Sequence, residues 1–135
     1  MRQEESFTTD LQEKRQGFFF DSYALFEIIK GNPNYRKYAS CDMATSKLNI
    51  FELFHGFLRD KQEELAETAI ERYYPYVVDF DDDVIREAAR MKLVLNKRNV
   101  SMVDCIGYIL SIKLGIKFLT GDKEFENLKN VEFVK

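Results

Sequence analysis

The sequence predicts an α/β fold in which a short, mostly parallel sheet is covered by helices on both faces. Three observations carry this expectation. Short aromatic or β-branched runs, Phe18-Phe19-Phe20 and Ile116 to Thr120 above all, read as buried strands. Longer stretches with helical spacing lie between them, and alternation of strand and helix is the signature of a sheet with helices on each side. A chain of 135 residues that is 45% hydrophobic, with twelve Phe and seven Tyr, has material for one core. Two prolines and six glycines leave little for linkers, so one domain over residues 17–135 is expected. The polar, mixed-charge residues 1–16 read as an N-terminal extension with no assigned function.

Each element has its local reason. Phe18 to Asp21 forms the first strand. Tyr23 to Lys30 has helical spacing and stops at Gly31-Asn32-Pro33. A short helix is expected over 34–39 and a short strand over 42–45. Thr45 or Ser46 then caps a helix reaching Arg59, with Ile50, Leu53, Phe54 and Phe57 among its apolar positions. A helix over 62–74 ends at Pro75, and Tyr76-Val77-Val78 reads as a strand. Asp81-Asp82-Asp83 suggests a metal site, but acids at a helix N-terminus also complement the helix dipole, and that reading is preferred. The helix they open runs to Leu95. Ser101 caps the next, which Gly115 closes after Leu114. A strand over 116–120, a helical turn over 123–128 and a strand over 131–134 complete the order.

Bulk properties exclude several classes. The longest apolar runs fall far short of the roughly 20 residues that span a bilayer, so no membrane association is expected. The polar start lacks the apolar segment of a secretory signal, and cytoplasmic residence is the expectation. Cys41 and Cys105 have apolar neighbours and read as free thiols, and a single histidine, His55, argues against the usual zinc sites. The net charge of −3 is not that of a strongly basic nucleic-acid binder, so such contacts would rest on a local patch or on metal ions.

Four acids stand out. Asp21 and Asp122 each follow a strand, and ligands bind outside the carboxyl ends of strands in open α/β sheets. Each also suits a capping role. Asp104 lies three residues after Ser101, as in a capping box. Its helix is apolar nearly all round and so reads as buried. Asp104, Gly107 and Ser111 form the helix's one small or polar stripe. Glu52 lies almost opposite the apolar face of its helix, with His55 and Arg59, where a solvated glutamate is the usual explanation. His55 is either a helper to Glu52 or an ordinary surface histidine. Four carboxylates in one place would raise one another's pKa and imply a divalent cation. An all-oxygen set selects Mg²⁺ or Mn²⁺ over zinc, with phosphodiester hydrolysis as the natural chemistry.

These positions resemble the PIN-domain nucleases, especially the VapC-type toxins. The resemblance rests on Phe19-Phe20-Asp21-Ser22, on Leu48-Asn49-Ile50-Phe51-Glu52-Leu53, on Val100-Ser101-Met102-Val103-Asp104-Cys105-Ile106, and on Phe118-Leu119-Thr120-Gly121-Asp122-Lys123-Glu124-Phe125. It implies a PIN-like three-layer α/β/α fold with a short, mainly parallel central sheet. Asp21, Asp104 and Asp122 would bind the metal, with Glu52 ligating directly or through water and Ser22 and Thr120 as hydroxyl helpers. The implied activity is a Mg²⁺- or Mn²⁺-dependent endoribonuclease, acting on RNA as a homodimer and restrained by an antitoxin protein. Lys47, Lys97, Arg98 and Lys123 lie near the motifs and are candidates for phosphate contacts.

Two other functions compete. A PIN-fold RNA- or protein-binding regulatory module would keep the fold with little or no activity, and cation binding without turnover would distinguish it. A phosphatase or phospho-receiver ranks third. Asp21-Ser22-Tyr23 lacks the D-x-D of the one, and the acid pair and late lysine of the other are missing.

Overall fold

The computed structural model describes residues 16–135, so the expected extension lies outside the described residues but for Gln16. Four strands form one wholly parallel sheet in the order β2-β1-β3-β4. They are β1 (Gly17–Phe20), β2 (Asp42–Ala44), β3 (Lys117–Thr120) and β4 (Val131–Phe133). The helices are α1 (Ser22–Lys30), α2 (Lys47–Arg59), α3 (Glu63–Tyr73), α4 (Asp82–Val94) and α5 (Met102–Leu114). Short 3₁₀ segments cover Pro33–Ser40, Tyr74–Tyr76 and Lys123–Phe125. Among the described residues, no helix is long and apolar enough to cross a membrane.

The alternation of side chains along a strand divides the core into two layers. Phe18 and Phe20 point to one face, where they meet α1, α2, α3, Tyr35 and Tyr38. Phe19 points to the other, with Phe118, α4, α5 and Phe125. Neighbouring β3 obeys the same rule, with Leu119 on the first face and Phe118 on the second. Phe19 and Phe118 stack at 5.9 Å between ring centroids. The strands are thus apolar on both faces, as a parallel sheet between two helical layers requires.

Most expected elements form within a residue or two. Ser46, rather than Thr45, caps α2 by accepting the Asn49 amide, while the Thr45 hydroxyl donates to the Phe20 carbonyl. Asp81 caps α4, and Asp82 and Asp83 pair with Arg86, so the acidic triplet serves the helix start. Both cysteines are free, Cys105 buried and Cys41 half-buried.

Three expectations need correction. Tyr76-Val77-Val78 is not a strand. Only an isolated bridge joins Val77 to Thr45, because the turn around Pro75 draws the Val77 amide back to the Tyr74 carbonyl. The expected helix at 34–39 is a 3₁₀ segment opened by Pro33. Nor is α5 buried all round: the sheet and α4 cover its middle, but Met102, Ile112 and Leu114 remain exposed.

Candidate acidic site at the carboxyl edge of the sheet

Asp21 directly follows β1 and caps α1, its Oδ1 accepting the Ala24 amide at 2.8 Å. Its own amide donates to the Leu119 carbonyl, which carries the β1–β3 pairing one residue further and sets Asp21 beside Thr120. Continuing the alternation, both side chains lie on the α5 face of the sheet. Asp21 is only 2% exposed, and Thr120 is fully buried.

Asp104 reaches the same edge from α5. The helix runs antiparallel to β3, which follows it, so its N-terminus lies at the carboxyl end of the strands. At Gly107 it presses on the sheet, where a Cβ would stand 2.8 Å from the Phe19 ring and 3.2 Å from that of Phe118. Asp104 is one turn earlier on that same stripe. It forms the full capping box: Ser101 accepts the Asp104 amide, and Asp104 Oδ2 accepts the Ser101 amide at 3.0 Å.

Asp122 lies two residues past β3. Its amide donates to the Thr120 hydroxyl at 3.1 Å, and its Oδ1 accepts the Glu124 amide at 3.0 Å. Capping is therefore the realised local contact at all three aspartates. It engages one carboxylate oxygen of each.

Glu52 departs from the expectation of a solvated residue. It is half-buried, and its Oε1 accepts the Ser22 hydroxyl at 2.5 Å. The contact belongs to a chain across α1 and α2. The Ser46 hydroxyl donates to Asn49 Oδ1 at 2.6 Å, and Asn49 Nδ2 donates to Ser22 Oγ at 3.0 Å. Ser22 donates to Glu52 in turn. The polar side of α2 thus faces the crevice at Glu52. His55, one turn on, is exposed and stacks on Phe51.

The charges of the acids act on one another: Asp21 feels Asp104 and Asp122, Asp104 feels Asp122, and Glu52 feels Asp104. Burial pushes the Asp21 carboxyl up to about 8; the Thr120 hydroxyl and the Ala24 amide oppose this, and the charges of Asp104 and Asp122 add to it. Asp104 is raised chiefly by burial, against the Ser101 hydrogen bonds, with Asp122 raising and Lys92 lowering it. Glu52 is raised by burial, lowered by Ser22 and raised again by Asp104. Replacing Ser22 with Ala removes the donor that favours ionised Glu52. The Glu52 pKa is expected to rise further, read by carboxyl NMR titration; an unchanged or lower value would contradict the contact's role.

Among the described residues, no three His, Cys, Asp or Glu side chains are already gathered around one cation position. The donor set nevertheless suits a hard cation. It is all oxygen, and Mg²⁺ keeps several of its waters and is commonly held by one or two carboxylates. Clefts open elsewhere, one of about 670 Å³ between the Pro33–Ser40 segment and Val134, one of about 580 Å³ between α4 and α5 and one of about 470 Å³ at the start of β2.

With this geometry in hand, sequence comparison decides the family. The PIN-domain model matches residues 18–131, from β1 into β4. The chain belongs to the PIN-domain family. Solved structures agree on the fold. VapC20 of Mycobacterium tuberculosis, a sarcin–ricin-loop-cleaving toxin, matches with a TM-score of 0.74 at 19% identity, over 87% of this chain and 99% of that one. VapBC2 of Rickettsia felis, bound to a DNA fragment from its promoter, gives 0.69 at 15%, over 89% and 100%. A toxin–antitoxin complex from Klebsiella pneumoniae gives 0.66 at 15%, over 84% and 94%. No curated protein sequence matches the chain.

In this PIN domain the four basic candidates have different settings. Lys47, the first residue of α2, is exposed and 3.9 Å from Asp79. Lys97 is exposed in the turn after α4, and Lys123 is exposed beside Asp122. The Arg98 guanidinium donates to the Glu124 carbonyl at 2.8 Å and ties the α4–α5 turn to the loop after β3. Sequence reasoning missed Asn49, which is 1% exposed and holds Ser22. Its signal was available: an amide on the apolar side of α2, one turn before Glu52, needs a buried partner.

Proposed function

We propose that this PIN domain is a divalent-metal-dependent endoribonuclease that hydrolyses RNA phosphodiester bonds, the toxin member of a toxin–antitoxin pair. The observation that carries the reading is that Asp21, Asp104 and Asp122 come to the carboxyl edge of the sheet, Asp21 only 2% exposed, with Glu52 turned toward them by Ser22. Burial and neighbouring like charge push Asp21, Asp104 and Glu52 upward, which is what a bound dication relieves.

In this reading Asp21, Asp104 and Asp122 hold Mg²⁺ or Mn²⁺, and Glu52 contributes directly or through a water. The ion supplies a polarised water and positive charge for the leaving oxygen. Asp21 and Asp104 are oriented by their amide contacts before any ion arrives. Thr120 and Ser22 hold the Asp21 and Glu52 carboxylates in place. Lys47, Lys97 and Lys123 remain candidates for phosphate contacts, while Arg98 is engaged with Glu124. An antitoxin partner is supported by the fold shared with the Klebsiella pneumoniae protein described as a toxin–antitoxin complex. A homodimer is supported by the apolar outer side of α4 and α5, where Ile85, Leu93 and Met102 are exposed beside the 580 Å³ cleft.

The test uses the purified full chain, freed of any partner. With Mn²⁺ it is expected to cut RNA internally, to stop in EDTA, and to sediment as a dimer. Cation binding without cleavage of any RNA would favour the regulatory-module reading and sink the enzymatic one.

A further inference from the structure

A line of polar side chains from two helices ends on Glu52, and its inner members carry no charge. Ser46, Asn49 and Glu52 are three residues apart along the start of α2 and share a face. Ser22 opens α1, directly after Asp21. Ser46 is fully buried and Asn49 is 1% exposed. Burying a polar group costs free energy unless it is hydrogen-bonded, and an apolar side chain at either position would avoid that cost.

The contacts run in one direction. A serine hydroxyl has a single proton to give. Ser46 Oγ accepts the Asn49 main-chain amide at 3.3 Å and sends its proton to Asn49 Oδ1 at 2.6 Å. With that oxygen on Ser46, the Asn49 Nδ2 group faces Ser22 and donates to its Oγ at 3.0 Å. Ser22 then has only its own proton to offer, and Glu52 Oε1 takes it at 2.5 Å. Turning the Asn49 amide over would draw the Ser22 proton to Asn49. Ser22 Oγ and Glu52 Oε1 would then be in close contact with no proton between them. An aspartate at this position could accept from both serines and donate to neither. Thr120 is arranged alike, accepting the Asp122 amide at 3.1 Å while its hydroxyl bonds the Asp21 carboxyl.

We propose that Asn49 is the positioning residue for Glu52: by donating to Ser22 it commits the Ser22 proton to Glu52 and keeps that carboxylate turned toward the three aspartates. The proposal rests on the metal-dependent reading of the acidic site and adds to it a neutral residue outside the four acids. Asn49 does not touch the ion or the substrate in this account; it acts through Ser22. Side chains that orient metal ligands through hydrogen bonds are commonly worth about 10–100-fold in metal affinity or activity.

The test reads Mn²⁺ affinity of the full chain by calorimetry, apart from any cleavage. Asn49→Ala is expected to weaken Mn²⁺ binding about tenfold. A double-mutant cycle separates positioning from packing. In a Ser22→Ala background there is no proton to direct, so Asn49→Ala is expected to cost no further affinity. Asn49→Asp keeps the shape and the Ser46 contact, and so serves even where the alanine variant fails to fold. It is expected to weaken Mn²⁺ binding as well, although its added negative charge alone would strengthen it. In the metal-free protein the Glu52 carboxyl ¹³C resonance is expected to move in both Asn49 variants, as it does in Ser22→Ala. In RNA cleavage, kcat is expected to fall with KM unchanged. If a parent that cleaves RNA keeps its Mn²⁺ affinity in a folded Asn49 variant, or if Asn49→Ala costs the same with and without Ser22, the positioning role is overturned while the nuclease reading stands. A parent that binds Mn²⁺ and cuts no RNA sinks the nuclease reading, and the same affinities still decide the role of Asn49. A parent that binds no Mn²⁺ overturns both.

Discussion

Asp21→Asn is expected to abolish RNA cleavage and, in the same preparation, to stabilise the metal-free protein at neutral pH. The first effect follows from the proposed role: losing a charged ligand beside the reacting phosphate is expected to lower turnover by about 10²–10³-fold or more. The second follows from burial. Asparagine keeps the oxygen that accepts the Ala24 amide and removes a carboxyl whose pKa burial lifts from 3.8 to about 8. Between those two values the native state binds a proton that the unfolded chain releases. Stability from this group is therefore full below pH 3.8 and is lost as pH rises toward 8. Each tenfold change in proton affinity is about 1.4 kcal/mol, so the variant should gain on the order of a few kcal/mol at pH 8. That gain should vanish near pH 4. Thermal melts in EDTA across this range would show it, and a variant that melts below the parent at pH 8 would refute it. Added Mn²⁺ should raise the parent's melting temperature more than the variant's.

Gly121→Ala is expected to be among the most damaging single-methyl additions. Gly121 links Thr120 to Asp122 and lies under the chain that leaves β4. A Cβ there would stand 2.2 Å from the Tyr23 ring and 2.4 Å from the Val134 carbonyl oxygen. A ring can turn, but that carbonyl is committed. It accepts the Tyr35 hydroxyl, and the Val134 amide donates to Thr120. Relief therefore means moving backbone at the site's own edge, at a cost of about 3 kcal/mol, or a melting temperature lower by roughly 10 °C. Gly31→Ala is the control. Nothing lies within 4 Å of the added carbon, and only the left-handed φ of 81° opposes it, for about 1 kcal/mol. Equal melting temperatures for the two variants would mean that the close approach at Gly121 is softer than its distances imply.

The acids were legible to different degrees, and the reason is local. Asp21 and Asp122 could be placed from the chain alone, because a polar residue just past an apolar strand has only the end of that strand to occupy. Asp104 could be placed on a covered helix, because Gly107 and Ser111 continue its stripe and only a helix pressed on a sheet needs a small residue there. Glu52 could not. Its periodicity put it away from the apolar face, which is correct, yet that side is turned toward Ser22 rather than water. Helical periodicity reports which residues share a face. It does not report what stands opposite a polar one. For Asn49 the need of a buried partner was legible, but not its identity, because Ser22 belongs to another helix.

The sequence by itself determined the α/β alternation, the two-faced burial of Phe18, Phe19 and Phe20, the caps at Asp21 and Ser101, the helix start at the Asp81-Asp82-Asp83 triplet, and the order of the four acidic motifs. These are consequences of nearest neighbours and of the strand and helix periods. The tertiary structure alone decided three other matters. One was the strand order β2-β1-β3-β4, which sets Asp21 beside Thr120. Another was the roll of α2, which turns Glu52 to Ser22 and leaves Phe51 outside. The last was the loss of the strand expected at 76–78, where one bridge to Thr45 could not outweigh the turn that Pro75 imposes. Each depends on contacts between residues far apart in the chain, whose energies no local pattern contains.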